Sequence, residues 1–175
     1  MSTLKTPVGG LDHQKGKPGA TITLVEYGDY QCSHCGEAFL LIKKLMKEFS
    51  NDLVFVFRNF PLQESHPEAL GAAQAAEAAA LQNKFWEMHD LLYEQQGQLN
   101  KDNFIYFAES LNLDIDQFKN DYDSENVMSQ IESDIESGIR SGVNGTPVFF
   151  INDTRLDAYN ETYESLEDAV NNAER

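Results

Sequence analysis

Cys32-Ser33-His34-Cys35 contains the only two cysteines of a 175-residue chain, three positions apart, where a strand pattern gives way to a helical one. The strand side is Thr21 to Tyr27, rich in β-branched residues, and Gly28 breaks it. The helix side runs from about Ser33 to Phe49. Phe39, Ile42, Met46 and Phe49 recur there at helical spacing, with Lys43, Lys44, Lys47 and Glu48 elsewhere on the cylinder. Cys32 is thus expected at a helix N-terminus, where free N–H groups and partial positive charge stabilise an anion. Such a position lowers a thiol below its ordinary pKa of about 8.5. The i,i+3 spacing puts both sulfurs on one face of the first turn, within reach of a disulfide. His34, when protonated, adds positive charge beside the thiolate.

Two other readings compete with a redox pair. A zinc half-site needs two further ligands, but His13, His66 and His89 are scattered singly and no second cysteine pair exists. Two inert core cysteines could also have this spacing. The strand-to-helix junction favours redox chemistry, which needs neither a metal nor an organic cofactor. Two cysteines this close suit chemistry better than the wider stapling of a secreted scaffold.

The rest of the chain reads as two α/β pieces around a helical block. Leu53 to Phe57 is a nearly continuous apolar run, as in a buried strand, and Pro61 ends the unit. Strand, helix, strand in that order predicts a parallel pair with a right-handed crossover. Ser65 and Glu68 form a capping-box pattern with Pro67 in the first turn, ahead of the Ala-rich run Ala69 to Ala80. Phe85, Met88 and Leu92 mark a helix; Phe104, Phe107 and Leu111 mark the next; Asp114 and Gln117 cap a short one. Val127, Ile131, Ile135 and Ile139 line one face of a long helix that Gly142 ends. Val148 to Ile151 is a strand, Asn152-Asp153 a turn, and Arg155-Leu156 a short hairpin partner. A last helix runs from about Glu161 to Ala173. No Pro/Gly/Ser linker flanks the helical block. The expectation is one domain, residues 1–175, with a packed insertion at about 63–142.

A net charge of −16 argues against nucleic acid and against an anionic membrane surface. No stretch approaches the roughly 20 apolar residues of a membrane span. Met1 to Gly19 is polar, without the apolar core of a secretory signal, so the sequence as written reads as cytoplasmic, or as a processed extracytoplasmic chain. Trp86, Met88 and His89 read as core, His66 as a helix-start residue, and Asp29 and Tyr30 as rim of the cysteine site.

Leu24-Val25-Glu26-Tyr27-Gly28-Asp29-Tyr30-Gln31-Cys32-Ser33-His34-Cys35 resembles the active-site stretch of the DsbA-like family of thioredoxin-fold oxidoreductases. Gly145-Thr146-Pro147-Val148-Phe149-Phe150-Ile151 resembles that family's cis-proline loop, and the likeness covers about residues 20–172. It implies a thioredoxin-like α/β fold with a helical insertion between a βαβ half and a ββα half. It also implies roles: Cys32 as exposed nucleophile, Cys35 as buried resolving thiol, and Glu26 as an acid beneath the site. Thr146-Pro147 becomes a cis loop offering backbone hydrogen bonds to an extended substrate. Strand alternation separately puts Leu24 and Glu26 on one face. Many periplasmic members have proline where this chain has Ser33, and the residues between the cysteines tune redox potential.

The function expected is thiol–disulfide exchange through a mixed disulfide at Cys32. Substrates would be cysteine-containing proteins or small disulfides, and a redox partner would reset the pair. Two alternatives stand beside it: a glutathione-dependent transferase or isomerase, and a non-enzymatic chaperone or redox-sensing module.

Overall fold

The computed structural model describes residues 2–173; the outermost residues of the expected domain, Met1, Glu174 and Arg175, lie outside the described residues. Among the described residues five strands form, β1 (His13–Gly16), β2 (Ile22–Gly28), β3 (Leu53–Asn59), β4 (Val148–Ile151) and β5 (Thr154–Arg155). The sheet order is β1-β3-β2-β4-β5. β2 and β3 run parallel, with Glu26 opposite Phe57, while β4 lies antiparallel on the other side of β2, with Glu26 opposite Phe149. The parallel pair is joined by α1 (Ser33–Glu48), and α7 (Tyr163–Ala173) follows the β4–β5 hairpin. Between the two halves come α2 (Ala69–Ala80), α3 (Phe85–Glu94), α4 (Lys101–Ser110), α5 (Ile115–Tyr122) and α6 (Glu125–Arg140). This is the expected thioredoxin-like architecture with a helical insertion.

Both faces of the sheet are covered, which is why its central strands are apolar at nearly every position. Leu24, Phe55, Phe57 and Phe149 share one core with Cys35, Phe39, Ile42 and Leu45 of α1 and with Leu166 and Val170 of α7. Val25, Tyr27, Val54, Val56 and Phe150 form the opposite core with Phe60 and Val143. There α6 closes on the sheet, and the Tyr27 and Ser137 hydroxyls hydrogen-bond at 2.8 Å.

Buried polar groups tie the insertion to the sheet. Asp134 of α6 accepts from the Asn59 backbone N–H at 2.9 Å and from Asn59 Nδ2 at 3.0 Å. Asn59 Nδ2 also donates to Glu77 of α2 at 2.8 Å, and both Glu77 oxygens lie 2.9 Å from His13 Nε2. Burial raises the Asp134 carboxyl to about 7.

Several boundaries differ from the sequence pattern, each for a local reason. β1 was not expected, because His-Gln-Lys-Gly lacks any β-branched residue; it forms by pairing with the open edge of β3. The N-terminal arm leading to it is fastened by Arg58, which grips Asp12 at 2.8 and 3.0 Å and the Thr6 carbonyl at 3.0 Å. The Ser65/Glu68 capping box does not form. Glu68 is itself the N-cap of α2 without a side-chain cap bond, and its N–H donates to Gln31 Oε1 at 2.7 Å. Asp114 does cap α5, accepting from the Gln117 N–H at 2.9 Å. Ile139 is 62 % exposed and leaves the stripe begun by Val127 and Ile131. Gly142, at φ +83, turns the chain out of α6 as expected of an αL glycine. The hairpin partner is Thr154–Arg155, one residue earlier than its pattern. The last helix starts at Tyr163 rather than Glu161, which has φ +67.

Candidate active site

Cys32 is the N-cap of α1 in extended conformation (φ −73, ψ 121), and Cys35 lies within the first turn. Both are free thiols. Cys35 is fully enclosed, but Cys32 is far less open than its expected role suggests, with 5 % exposure. The reason is the loop before β4: the Cys32 thiol donates to the Thr146 carbonyl at 3.5 Å, and the Thr146–Pro147 peptide is cis. Thr146 and Pro147 are half-buried; Ser33 and His34 face solvent.

The local electrostatics separate the two sulfurs. Cys32 drops from the ordinary thiol value to about 5, chiefly because the Cys35 thiol donates a hydrogen bond to its thiolate. Burial works against this, and the backbone N–H groups of Cys35 and His34 add to the lowering. Cys35 is pushed well above the thiol range by burial first, then by its bond to Cys32 and by the charge of Glu26.

Glu26 lies beneath the pair on the α1-facing side of β2, 2 % exposed. Burial raises it to about 8, helped by repulsion from the Cys32 thiolate, and its Oε1 has no hydrogen-bond partner. Alternation along the strand had pointed to this inward placement.

His34 is brought near the pair, but its ring has another neighbour. The ring is largely exposed and its Nδ1 lies 2.7 Å from Glu161 Oε1. His34, Glu37 and Glu161 are the only set of three or more metal-capable side chains that converge among the described residues, with ligand atoms within 4.8 Å and all three exposed.

Residues outside the CxxC motif frame the cysteine turn, among them Asp29 and Tyr30, read from the sequence as rim, and Gln31, His66 and Gln96, to which the sequence assigned no part in the site. Asp29, assigned to the rim, is buried; its carboxylate accepts from the Gln31 N–H at 2.7 Å, the Leu62 N–H at 2.9 Å and His66 Nδ1 at 2.8 Å. His66 therefore serves the active-site turn as well as leading into α2, whose Ala69 N–H donates to its carbonyl at 3.1 Å. Gln96, just past α3, donates to the Tyr30 and Cys32 carbonyls. It lies so close to α1 that a Cβ at Gly36 would meet its Oε1 at 2.5 Å. Gln31 holds Glu68, as described. Tyr30 is wholly buried and shares a 2.9 Å hydrogen bond with His89, which burial keeps neutral. Apart from the Asp two residues before a tight turn, an Asx-turn pattern, nothing in the sequence marks these partners, because they come from the insertion.

Comparisons with known proteins agree with this geometry. The family described as Thioredoxin matches residues 10–172. Among solved structures, a thioredoxin-like oxidoreductase from Silicibacter pomeroyi is 27 % identical, with a TM-score of 0.85 and coverage of 95 % of this chain and 94 % of that one. BdbD from Bacillus subtilis has the same fold at 24 % identity, TM-score 0.84, covering 98 % and 97 %. The thiol-disulfide exchange protein α-DsbA2 from Wolbachia pipientis does so at 21 % identity, TM-score 0.79, covering 91 % and 85 %. Curated relatives carry a different name: a Na(+)/H(+) antiporter NhaA 1 from Salinispora arenicola is 42 % identical over 163 residues, 93 % of this chain. Another, from Mycolicibacterium gilvum, is 40 % identical over 146 residues, 82 % of this chain. The chain spans about a quarter (24 %) of the length of these two relatives. With a family match running nearly end to end, the chain belongs to the thioredoxin family.

Proposed function

We propose that this chain is a thiol–disulfide oxidoreductase in which Cys32 attacks and Cys35 resolves. The observation that carries the reading is geometric: Cys32 caps α1 against the cis Thr146–Pro147 loop, with Cys35 enclosed in the first turn behind it. Cys32 is a thiolate at neutral pH, and Cys35 beside it stays protonated. In the reducing direction the Cys32 thiolate attacks a substrate disulfide and forms a mixed disulfide. Cys35 then gives its proton to Glu26 and attacks the Cys32 sulfur; the new S–S bond forms as the substrate leaves with the electron pair. In the oxidising direction the same steps run backward from the Cys32–Cys35 disulfide.

A low pKa at Cys32 stabilises the reduced pair and makes the disulfide the stronger oxidant, so donation of disulfides is the favoured direction. Such a donor suits a compartment where glutathione does not keep thiols reduced. The Thr146 carbonyl lies at the Cys32 sulfur, and with Pro147 and the exposed Ser33 it would offer the surface on which an extended, cysteine-containing segment lies. No helix among the described residues is long and apolar enough to cross a membrane.

Trapping tests the assignment. Cys35→Ser should accumulate mixed disulfides with a cysteine-bearing peptide, seen by mass spectrometry, and Cys32→Ser should form none and lose insulin reduction. Equal trapping by both variants would overturn the roles. The antiporter-named relatives favour one kind of partner, a cysteine-bearing membrane transport protein. Capture by Cys35→Ser in membranes containing such an antiporter, against membranes lacking it, tests that narrower reading; no antiporter-dependent adduct would sink it.

A further inference from the structure

Tyr159 lies in the loop between β5 and α7, and its ring meets Phe149 edge-on at a centroid distance of 4.8 Å. Phe149 is the cross-strand partner of Glu26 in the β2–β4 ladder, so it shares the sheet face that is turned toward α1 and Cys35. The ring is half-buried, yet the hydroxyl is closed off from solvent and has no hydrogen-bond partner within the protein. Glu26 Oε1 is in the same condition. Buried polar atoms of this kind are rare, because each forfeits the free energy of a hydrogen bond to water. The Tyr93 hydroxyl of α3 is unpartnered in the same core, but Tyr159 and Glu26 alone share Phe149, and a single water between them satisfies both.

We propose that Tyr159 is a positioning residue for Glu26: its hydroxyl donates to one water that in turn donates to the Glu26 carboxylate, and holds it ready for the Cys35 proton. The inference rests on the thiol-exchange reading above. The charges around the phenol agree with a donor that keeps its proton. Burial, then Glu26 of β2, Glu161 of its own loop, and Cys35 and Glu37 of α1 all hold Tyr159 protonated. Glu26 faces Cys32 and Cys35 of α1, with Tyr30 and Tyr93 also near it. These are anions or neutral acids, so a neutral donor is what favours the carboxylate form there. In the step served, the Cys35 S–H bond breaks as a Glu26 O–H bond forms. The Cys35 thiolate then closes the disulfide with Cys32, and the substrate sulfur departs with its electron pair.

Tyr159→Phe keeps the ring on Phe149 and removes only the hydroxyl. In the reduced protein, the Glu26 midpoint read by carboxyl 13C NMR should rise by about one pH unit. The pH profile of the resolution step, read by rapid mixing, should move upward with it, while the first attack by Cys32 keeps its rate. Replacing Tyr159 with 3-fluorotyrosine, a stronger donor, should move the midpoint the other way. A purely structural role would lower the melting temperature and leave both midpoint and profile in place; that result overturns the proposal. Glu26→Gln, measured alongside, separates the two readings. Normal resolution in Glu26→Gln removes the proton role and, with it, the purpose proposed for Tyr159. Slowed resolution in Glu26→Gln with an unmoved profile in Tyr159→Phe removes Tyr159 alone.

Discussion

Gln96 Nε2 donates to the Cys32 carbonyl at 2.8 Å and to the Tyr30 carbonyl at 2.9 Å, so one amide from the helical insertion holds both ends of the turn that presents the nucleophile. Gln96→Ala removes both bonds and is expected to cost about 1–2 kcal/mol of stability. Chemical denaturation measures the loss. Faster amide exchange in residues 30–36 would localise it.

Cys35 makes the largest contribution to the lowered Cys32 pKa. Cys35→Ala should therefore raise Cys32 from about 5 toward the ordinary thiol range, more than any other single change in the turn. In the reduced parent, the Cys32 thiolate contributes stability that is full above the unfolded thiol's pKa. That contribution is lost as pH falls through about 5. Thiolate absorbance gives the midpoint, and melting curves of the reduced protein across this window give the linkage.

His34 reaches Cys32 through its backbone N–H, while its ring is occupied by Glu161. His34→Ala keeps that N–H. The Cys32 midpoint should then move by less than about half a pH unit, a smaller effect than ring charge beside the sulfur would give. A full unit or more would restore the imidazolium as a direct tuner.

Asp29 is buried and satisfies two backbone N–H groups and His66. Asp29→Ala orphans all three donors and should cost about 2–4 kcal/mol. Asp29→Asn, which keeps an acceptor oxygen, should cost less. Equal and small losses in urea titrations would show that the turn stands without it.

Glu26 is raised to about 8, so the folded protein holds a proton there that the unfolded chain has already released. The resulting penalty begins near pH 4.5 and is complete above about 8. Glu26→Gln should leave stability unchanged at pH 4 and increase it by about 2–4 kcal/mol at pH 8.5. A gain that does not vary with pH would mean that burial of Glu26 carries no proton linkage.

Local pattern and local chemistry were legible where they depend on neighbours in the chain. The β2–turn–α1 junction, the parallel β3, the Asp114 cap and the Gly142 helix end each rest on residues within one or two turns of each other. β1 was not legible, because His13–Gly16 becomes a strand only when β3 offers its edge. The Ser65/Glu68 motif failed because Gln31 competes for the Glu68 N–H from 37 residues away. The contact of Glu161 with the His34 ring was not legible either, because it comes from the far end of the chain. The same limit concealed Asp29, His66, Gln96 and Tyr159: their identities are ordinary polar residues, and only tertiary contact gives them a common address.

The grip of the insertion on the cysteine turn has an evolutionary consequence. Glu68, His66 and Gln96 belong to the segment between β3 and β4, yet their partners are Gln31, Asp29, Tyr30 and Cys32. The insertion is therefore not an interchangeable cassette. Trimming it would keep the nucleophile but discard its supports, so a change in the stretch from His66 to Gln96 must be matched by the turn from Asp29 to Cys32.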